Sequence, residues 1–437
     1  MTRKALLLLL ASLSAGFVGG CGAGHDDLDL DVDEESSDIG DGSRQSGETI
    51  VRWNDHNLAI LTTLDSGAAA GLQLIRDLAN VHVAMHDAAN GARHKYEKYA
   101  LKQVDWRADP TLAAAAAAHA ALIALRPGKA AQVNAFLQTD LDRVKDPDRR
   151  QRSLDLGAAA ADAILTLRGD DGFFDVVPHT FGPPAPGVWQ PVPPADTTVA
   201  IGTQLPFVTP MALTSADQFR VPPPPALSSV TWKRDYDEVK EVGRSDSTVR
   251  TTDQTAAALF WREQAQFAWN RIARIAASER DQGLWQTARA FALVNVGIMD
   301  GVIAIFDTKY HYEYWRPYTT IREVDDVRSD TLMDPAWESL IPTPGHPEYN
   351  SAHSVLGGVA SYPLSQIYGN HFAFELTTAT AEPAGSTRSY SSFFDAAIDG
   401  ALSRIWGGIH FRSSTVPGVL QGRAIGAFIY DHELGPD

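Results

Sequence analysis

The chain has 437 residues, of which 44% are hydrophobic and 21% charged, so it can bury a large core in one or two domains. Its formal net charge of −17 argues against a nucleic-acid partner, because a phosphate backbone would be repelled. Cys21 is the single cysteine, which excludes an internal disulfide.

The first twenty residues have the pattern of a signal peptide. Arg3 and Lys4 precede an apolar run, residues 5–18, that is too short to span a bilayer comfortably. The run leads into Val-Gly-Gly-Cys21, which resembles a bacterial lipobox, so Cys21 is a candidate lipidation site. An ordinary signal peptide with an incidental cysteine is the alternative. The first interpretation predicts an exported protein that meets a membrane only through its lipid anchor. Gly22 lacks the aspartate commonly linked to inner-membrane retention, which favours the outer membrane or cell surface.

Residues 21–50 are strongly acidic. Ten aspartate and glutamate side chains lie between residues 25 and 49, among serines and glycines. Such a run cannot bury enough apolar surface to order itself. We expect a disordered tether ahead of the folded part.

Residues 51–169 predict an N-terminal helical region. Helical periodicity or composition covers 53–91, 111–125, 129–145 and 149–167, and the short turns between them favour antiparallel neighbours in a bundle. His82 and His86, with Asp87 beside them, have the spacing of metal ligands on a helix. No zinc signature accompanies them, so a polar stripe facing another helix is the favoured interpretation.

Residues 170–226 interrupt the helical pattern. They hold 13 of the chain's 25 prolines, which excludes helix over most of the segment. Trp189, Phe173, Phe174 and Phe207 lie in the same segment and indicate an ordered wrapping loop between two helical halves.

Residues 227–437 predict a C-terminal helical region, with helices over 230–242, 252–278, 284–306, 351–362 and 393–406. Asn295 and Asp300 interrupt the apolar helix 284–306, so we expect a buried core helix and not a membrane span. Strand-rich stretches are lacking, and the predicted fold class is all-α.

Three short blocks in this region carry the candidate site: Lys309-Tyr-His-Tyr-Glu-Tyr-Trp-Arg316-Pro317, Pro347-Glu-Tyr-Asn350-Ser351-Ala352-His353-Ser354 and Ser403-Arg404-Ile-Trp-Gly-Gly-Ile-His410-Phe-Arg412. Together they offer three cations, a hydroxyl and two histidines, which suits a tetrahedral oxyanion.

The spacing within the blocks predicts how these groups are presented. Lys309 and Arg316, seven residues apart, would share one face of a helix that Pro317 ends. Ser351 and the Ala352 amide would lie in the first turn of a helix capped by Asn350, where free N–H groups attract anions. Glycines 407 and 408, between Arg404 and His410, would let the backbone approach an anion.

The order Lys-x6-Arg-Pro, Ser-x-His and Ser-Arg-x5-His resembles the signature of the vanadium-dependent haloperoxidases and of the related type 2 phosphatidic acid phosphatases and bacterial acid phosphatases. The flanks Tyr-Glu-Tyr-Trp-Arg-Pro, Pro-Glu-Tyr and Ile-His-Phe-Arg are similar to the haloperoxidase branch in particular. The resemblance covers about residues 284–430. It implies helical bundles of the haloperoxidase and acid phosphatase type, with the proline-rich loop between the halves.

The same resemblance implies one vanadate per site and a role for each side chain. Lys309, Arg316 and Arg404 would hold the vanadate oxygens, Ser351 and the Ala352 amide would add hydrogen bonds, His410 would bind vanadium, and His353 would act as acid–base. Hydrogen peroxide and halide would be the substrates, and a small organic acceptor is left open.

His346 bears on halide choice. At the matching position algal bromoperoxidases carry histidine and fungal chloroperoxidases carry phenylalanine, so the resemblance implies bromide or iodide over chloride. A turn histidine with no such role is the alternative.

The sequence departs from the family at three positions. Asn350 stands where proline is common, Ala352 replaces glycine, and Ser414 replaces the aspartate of many phosphatases. The last change leaves open which group orients the second nitrogen of His410. It also predicts a weaker nucleophile, which argues against phosphatase activity.

Two alternatives to a haloperoxidase stay open. One is an acid phosphatase or phosphoesterase that forms a phosphohistidine at His410 on the same site. The other is a non-catalytic oxyanion-binding lipoprotein. The oligomeric state is open as well.

Overall fold

The computed structural model describes residues 45–62, 68–193, 199–323, 327–378 and 384–436. The predicted signal peptide, Cys21 and most of the acidic segment lie outside these residues. The helices are α1 Glu48–Leu61, α2 Ala68–Ala92, α3 Pro110–Leu125, α4 Ala130–Leu141, α5 Pro147–Leu167, α6 Val230–Val242, α7 Thr252–Phe260, α8 Ala265–Arg280, α9 Leu284–Tyr312, α10 Pro317–Glu323, α11 Ala352–Tyr368, α12 Phe393–Trp406 and α13 Arg412–His432. The strands β1 Phe374–Thr377 and β2 Thr387–Tyr390 form one antiparallel hairpin. The predicted all-α class is confirmed.

The N-terminal helices pack through small side chains. α2 lies against both α3 and α5, and α3 also packs on α5. Ala113 to Ala118 of α3 are all buried, and a Cβ placed on Gly157 of α5 would lie 2.6 Å from the Cβ of Ala116. An alanine-rich helix therefore brings its neighbours unusually close.

α9 is the central helix of the fold. It packs against α2 on one side and α11 on another. Within the described residues, α9 is the one single helix with the length and hydropathy of a membrane span. Helix α3 and residues 127–141 have that length and hydropathy only when they are counted as one segment, and a bend of 120° separates the two parts. The apolar window of α9 is wholly buried by protein, as predicted for a core helix.

Asp300, in the middle of α9, holds the proline-rich segment against the core. Its carboxylate accepts backbone N–H bonds from Met211, Ala212 and Leu213 at 2.6, 2.7 and 2.9 Å. Three charge-assisted bonds compensate a carboxylate that would otherwise be costly to bury. Residues 211–213 of the segment are thus tied to the core helix.

The histidines of α2 take part in polar contacts inside the helical packing. The Nε2 atom of His82 lies 2.8 Å from Nδ2 of Asn54 on α1. Nδ1 of His86 lies 3.2 Å from Asp87, whose carboxylate accepts N–H bonds from residues 99–101. These contacts agree with the polar stripe that was favoured over metal ligands.

α11 and α13 approach so closely that their backbones touch. A Cβ on Gly358 would lie 2.2 Å from the carbonyl oxygen of Val419, and one on Gly422 would lie 2.0 Å from that of Val355. Only glycine fits at either position. This contact fixes α11, which carries the second block of the site.

The predicted boundaries of three helices were wrong. The helix expected over 252–278 is two helices, with a break at residues 261–264, and the core helix runs six residues beyond Phe306. The N-cap position of α11 is held by Ser351 and not by Asn350, and the helix continues past Tyr362 with Pro363 inside it. Glu313 ends α9 in the left-handed conformation, with φ of 44°.

Candidate active site

The first block places two fully buried cations on different elements. Lys309 lies in the last turn of α9, whereas Arg316 follows the end of that helix and precedes α10. The prediction that both share a helix ended by Pro317 was wrong, because Pro317 begins α10. Proline suits that position, since the first helical N–H has no partner within the helix.

Both cations nevertheless bind the same loop. The Lys309 Nζ donates to the carbonyl oxygens of Pro347 and Glu348 at 2.8 and 2.9 Å. The Arg316 Nε and Nη2 atoms donate to the carbonyl oxygen of His346 at 3.1 and 3.0 Å. The loop ahead of α11 thereby gathers the first and second blocks at one place.

Ser351 is an N-cap residue whose side chain does not cap. Its hydroxyl makes no bond to the first turn of α11. The Ser351 Oγ atom is buried and has no hydrogen-bond partner among the described residues. A buried polar atom without a partner costs free energy, so this hydroxyl is available to a ligand at the start of α11.

The third block adds Arg404 at the end of α12. Its Nε donates to the hydroxyl of Ser403 at 3.0 Å, and its Nη2 donates to the Ala258 carbonyl at 3.4 Å. The following glycines serve packing: Gly408 has φ of 80°, and a Cβ there would lie 2.3 Å from the carbonyl oxygen of Gly243. The approach of an anion to these glycines stays a prediction.

Glu348 orients His410, which sequence reasoning missed. Nδ1 of His410 lies 2.8 Å from the Glu348 Oε1 atom, which also accepts from the Phe411 N–H at 3.0 Å and the Ser414 hydroxyl at 2.5 Å. Because a carboxylate accepts, Nδ1 carries the proton and Nε2 presents a lone pair. Nε2 accepts from Nη1 of Arg316 at 3.2 Å, which agrees with this tautomer.

This carboxylate corrects the inference drawn from Ser414. Ser414 does stand where the phosphatases carry aspartate, but Glu348 supplies the carboxylate from another part of the chain. His410 is therefore not a weakened nucleophile. Glu348 is the glutamate of the Pro-Glu-Tyr pattern in the second block, so this pattern was the available signal for the carboxylate partner of His410.

The other two histidines of the site are held by backbone carbonyls and by Arg316. Nε2 of His353 lies 3.0 Å from the backbone carbonyl of Glu263, in the break between α7 and α8, so Nε2 donates and Nδ1 is left unprotonated. Nδ1 of His346 lies 3.0 Å from Nη2 of Arg316 and 3.1 Å from the Pro347 carbonyl, and its ring contacts Phe306.

Burial shifts every ionisable group here towards its neutral form. It lowers the pKa of Arg316 to about 10 and that of Arg404 to about 9. It also lowers the pKa of Lys309, where Arg316 adds repulsion and Glu348 opposes it. The pKa of Glu348 is raised to about 7 by burial, against the nearby donors and cations. Desolvation is the leading cause in each case.

The histidines follow the same rule. Burial, with added repulsion from Arg404, lowers the pKa of His353 to about 3. The pKa values of His346 and His410 are held well below their usual range by burial and by the neighbouring cations. All three rings are therefore neutral near pH 7. Lys309, Arg316 and Arg404 are buried close to the Glu348 carboxylate, and a bound anion would favour the charged form of all three basic groups.

The groups border one cavity of about 540 Å³. Its lining includes His346, Ala352, His353, Arg404 and His410, while Lys309, Arg316 and Ser351 lie fully buried behind that surface. Ile201 of the proline-rich segment forms part of the wall. Its N–H donates to the Gly345 carbonyl at 3.1 Å, and its own carbonyl accepts from the Tyr310 hydroxyl at 2.6 Å.

Comparison with known proteins relates the chain to one family. A model described as the VCPO second helical-bundle domain matches residues 289–434. The vanadium chloroperoxidase of Curvularia inaequalis is 28% identical over 302 residues, which are 55% of this chain and 48% of that protein. The chain thus spans about half the length of this curated relative.

Solved structures agree with this relationship. The structure described as the first bacterial vanadium-dependent iodoperoxidase has a TM-score of 0.78 and 27% identity, and the match covers 91% of this chain and 99% of that one. The structure of a bacterial vanadium-dependent chloroperoxidase in its holo form has a TM-score of 0.68 and 18% identity. That match covers 84% of this chain and 92% of the other, and it shows that the two folds are alike. The resemblance drawn from the three sequence blocks is confirmed.

Proposed function

We propose that this chain, a relative of the vanadium haloperoxidases, oxidises halide with hydrogen peroxide at a vanadate held by the three blocks. The observation that carries the proposal is the buried excess of positive charge beside the unpartnered Ser351 hydroxyl and the Nε2 atom of His410. A tetrahedral oxyanion would supply both the missing charge and the missing hydrogen-bond acceptors.

The donor set fits vanadate. Lys309, Arg316 and Arg404 would balance its charge, Ser351 Oγ and the Ala352 N–H would donate to its oxygens, and His410 would ligate through Nε2. Vanadate, when bound, supplies a Lewis-acidic centre that activates peroxide towards halide without a change of metal oxidation state.

His353 would move the proton. The Glu263 carbonyl fixes its Nε2–H, which leaves Nδ1 as the acceptor. Because its pKa is lowered to about 3, the ring is a neutral base at working pH and can take a proton from hydrogen peroxide at Nδ1. Glu348 would keep His410 in the tautomer that ligates.

His346 would favour bromide or iodide over chloride. This rests on the family comparison of histidine with phenylalanine at this position and on the place of His346 in the cavity wall. The variant His346→Phe should raise the ratio of chloride to bromide turnover. A purified parent protein that turns over chloride fastest would contradict the assignment.

The phosphatase alternative is not favoured, because the relatives described above are haloperoxidases. The two activities are separated by one experiment on the full chain. Orthovanadate is added, and bromide and iodide oxidation by hydrogen peroxide is assayed beside hydrolysis of p-nitrophenyl phosphate. Halide oxidation that requires vanadate supports the proposal, whereas hydrolysis inhibited by vanadate supports the alternative. If neither activity is detected, the remaining interpretation is a non-catalytic oxyanion-binding protein.

Vanadium retention tests the ligand directly. His410→Ala should lose vanadium during dialysis, while the matched control His371→Ala, at an exposed histidine, should retain it. Stoichiometric vanadium in His410→Ala would contradict ligation by His410.

We also propose that the protein is exported and anchored by lipid at Cys21, from the signal-like pattern of the first twenty residues. Radiolabelled palmitate should be incorporated into the parent protein and not into Cys21→Ser. Equal labelling of the two would contradict the proposal.

A further inference from the structure

The cavity over the site is larger than the reactants of the proposed reaction require. Its volume is about 540 Å³, whereas one water-sized molecule occupies about 30 Å³. Hydrogen peroxide and one halide ion would together fill a small part of it. Pockets that bind small organic ligands have volumes of about 300–1,000 Å³, and this cavity lies within that range.

The walls are apolar and the floor is polar. Six of the wall side chains come from α2, α9, α11 and the proline-rich segment: Leu72, Ile75, Ile201, Val302, Phe306 and Leu356. His353, Arg404 and His410 face the same space. An apolar molecule seated between these walls would therefore lie directly against the groups that we assign to halide oxidation.

The rim carries a free cation. Arg262 lies in the break between α7 and α8 and borders the cavity. Its side chain is exposed and has no hydrogen-bond or ion-pair partner in the part of the chain that the structure describes. Gln264 and Gln266 border the cavity beside it. The Gln266 amide already donates to Gln264 Oε1 at 2.6 Å, so a carboxylate or phenolate at this rim would gain an ion pair with Arg262 and the amide donor of Gln264.

We propose that the cavity binds an electron-rich organic anion, of the class of phenolic carboxylic acids, as the acceptor of the oxidised halogen. The proposal rests on the proposed haloperoxidase function and adds a substrate class to it. The aromatic body would pack against the apolar walls, and the anionic group would pair with Arg262.

The chemistry balances with the reactants already named. One halide ion, one hydrogen peroxide and one proton give hypohalous acid and water, so the halide loses two electrons and peroxide gains them. The phenol ring then attacks the halogen of the hypohalous acid. A carbon–halogen bond forms, the halogen–oxygen bond breaks, and the ring proton leaves with hydroxide as water.

Competition between two matched phenols tests whether the acceptor is bound. One is 3-(4-hydroxyphenyl)propionate and the other is its cationic counterpart, 4-hydroxyphenethyl-trimethylammonium. Both are present with bromide and peroxide, and the ratio of brominated products is compared with the ratio given by reagent hypobromite. We expect the enzyme to favour the anion by about threefold or more beyond the reagent ratio, which is the effect of one exposed ion pair.

Two variants assign the preference to the cavity. Arg262→Gln should bring the product ratio back towards that of reagent hypobromite, while the matched control Arg107→Gln, at an exposed arginine elsewhere, should keep the preference. Leu72→Trp should fill the cavity and remove the preference as well. Circular dichroism and thermal unfolding confirm that each variant is folded.

The failure of this proposal is distinct from the failure of the proposed function. Halide oxidation with a product ratio equal to that of reagent hypobromite would overturn the acceptor site alone. If halide is not oxidised, calorimetric titration of the full chain with 3-(4-hydroxyphenyl)propionate decides. Binding that Leu72→Trp abolishes would support the site, and absence of binding to the parent protein would overturn it.

Discussion

Nδ1 of His410 donates to the carboxylate of Glu348 across 2.8 Å, and this bond joins the second and third blocks of the site. The same carboxylate oxygen also accepts from the Phe411 N–H and the Ser414 hydroxyl. Glu348 is thus held by two residues that follow His410 in the chain. It leaves Nε2 as the ring nitrogen without a proton.

Glu348→Gln should weaken vanadate binding by about 10- to 100-fold, the usual cost of losing the partner that orients a metal-binding histidine. Isothermal titration calorimetry with orthovanadate measures the affinity of each protein. The matched control Glu241→Gln changes an exposed glutamate in the same way. Equal affinity in Glu348→Gln and the parent protein would show that Glu348 does not position His410.

Arg404→Met should stabilise the anion-free protein by on the order of 1 kcal/mol, because it removes a buried cation that pairs with no carboxylate among the described residues. The pKa of Arg404, lowered to about 9 by burial, reflects that cost. Urea unfolding with and without orthovanadate measures both effects. Stabilisation by vanadate should shrink in this variant and persist in Arg107→Met. A less stable anion-free Arg404→Met with an unchanged response to vanadate would contradict the assignment.

Asp300→Asn should destabilise the fold by about 2–4 kcal/mol, because one of the two oxygens that accept backbone N–H bonds becomes an amide donor. The proline-rich segment should loosen first, since those bonds hold residues 211–213. Urea unfolding and limited proteolysis within 170–226 measure the two effects. Asp162→Asn, at an exposed aspartate, is the control. Unchanged protection of the segment would be inconsistent with this anchor.

Glu433→Gln should change stability in a pH-dependent way. Burial, with repulsion from Asp300 and Glu97, raises the pKa of Glu433 from 4.5 to about 7, against the opposing charge of His432. The folded state therefore binds more protons than the unfolded state between these values, and the stability linked to this group falls as pH rises from about 4.5 to 7.

The variant should consequently unfold at a temperature a few degrees higher than the parent at pH 8, and at about the same temperature at pH 4.5. Thermal unfolding at the two pH values measures this. Glu279→Gln, at an exposed glutamate, should show no such difference. An equal shift at both pH values would rule out titration of Glu433 as the cause.

Gly422→Ala should destabilise the protein even though alanine favours helix by about 1 kcal/mol over glycine. The new methyl group would lie 2.0 Å from the Val355 carbonyl oxygen, so α11 and α13 would have to separate. Gly128→Ala, where the added Cβ has open space, should be neutral or stabilising. Denaturant unfolding compares the two. Equal stability of Gly422→Ala and the parent would mean that the two helices can move apart at little cost.

The fold class and most helices could be predicted because apolar periodicity and prolines mark them clearly. The break at residues 261–264 could not, because Trp-Arg-Glu-Gln contains neither glycine nor proline. The end of α9 could not be predicted from the sequence either. Glu313 ends it in a conformation normally left to glycine, so the sequence has no stop signal there.

The candidate site residues were identified from spacing within three blocks, but their partners depend on contacts between blocks. Glu348 and His410 are 62 residues apart, and only tertiary packing brings the carboxylate to the ring. The same holds for His353 and the Glu263 carbonyl, 90 residues away. Local pattern predicts which groups a block offers, whereas their protonation and orientation follow from the assembled fold.

Ile201 gives the proline-rich segment a share in the cavity wall, while the cations and histidines of the site come from α9, α11, α12 and the loops that adjoin these helices. One part of the wall, at Ile201, is therefore encoded apart from the charged groups, whereas Val302, Phe306 and Leu356 line the cavity from α9 and α11. A library that varies residues 199–204 would reshape the wall at Ile201 and leave the charged cluster intact. That separation makes this short stretch the natural starting point for engineering the enzyme towards new acceptors.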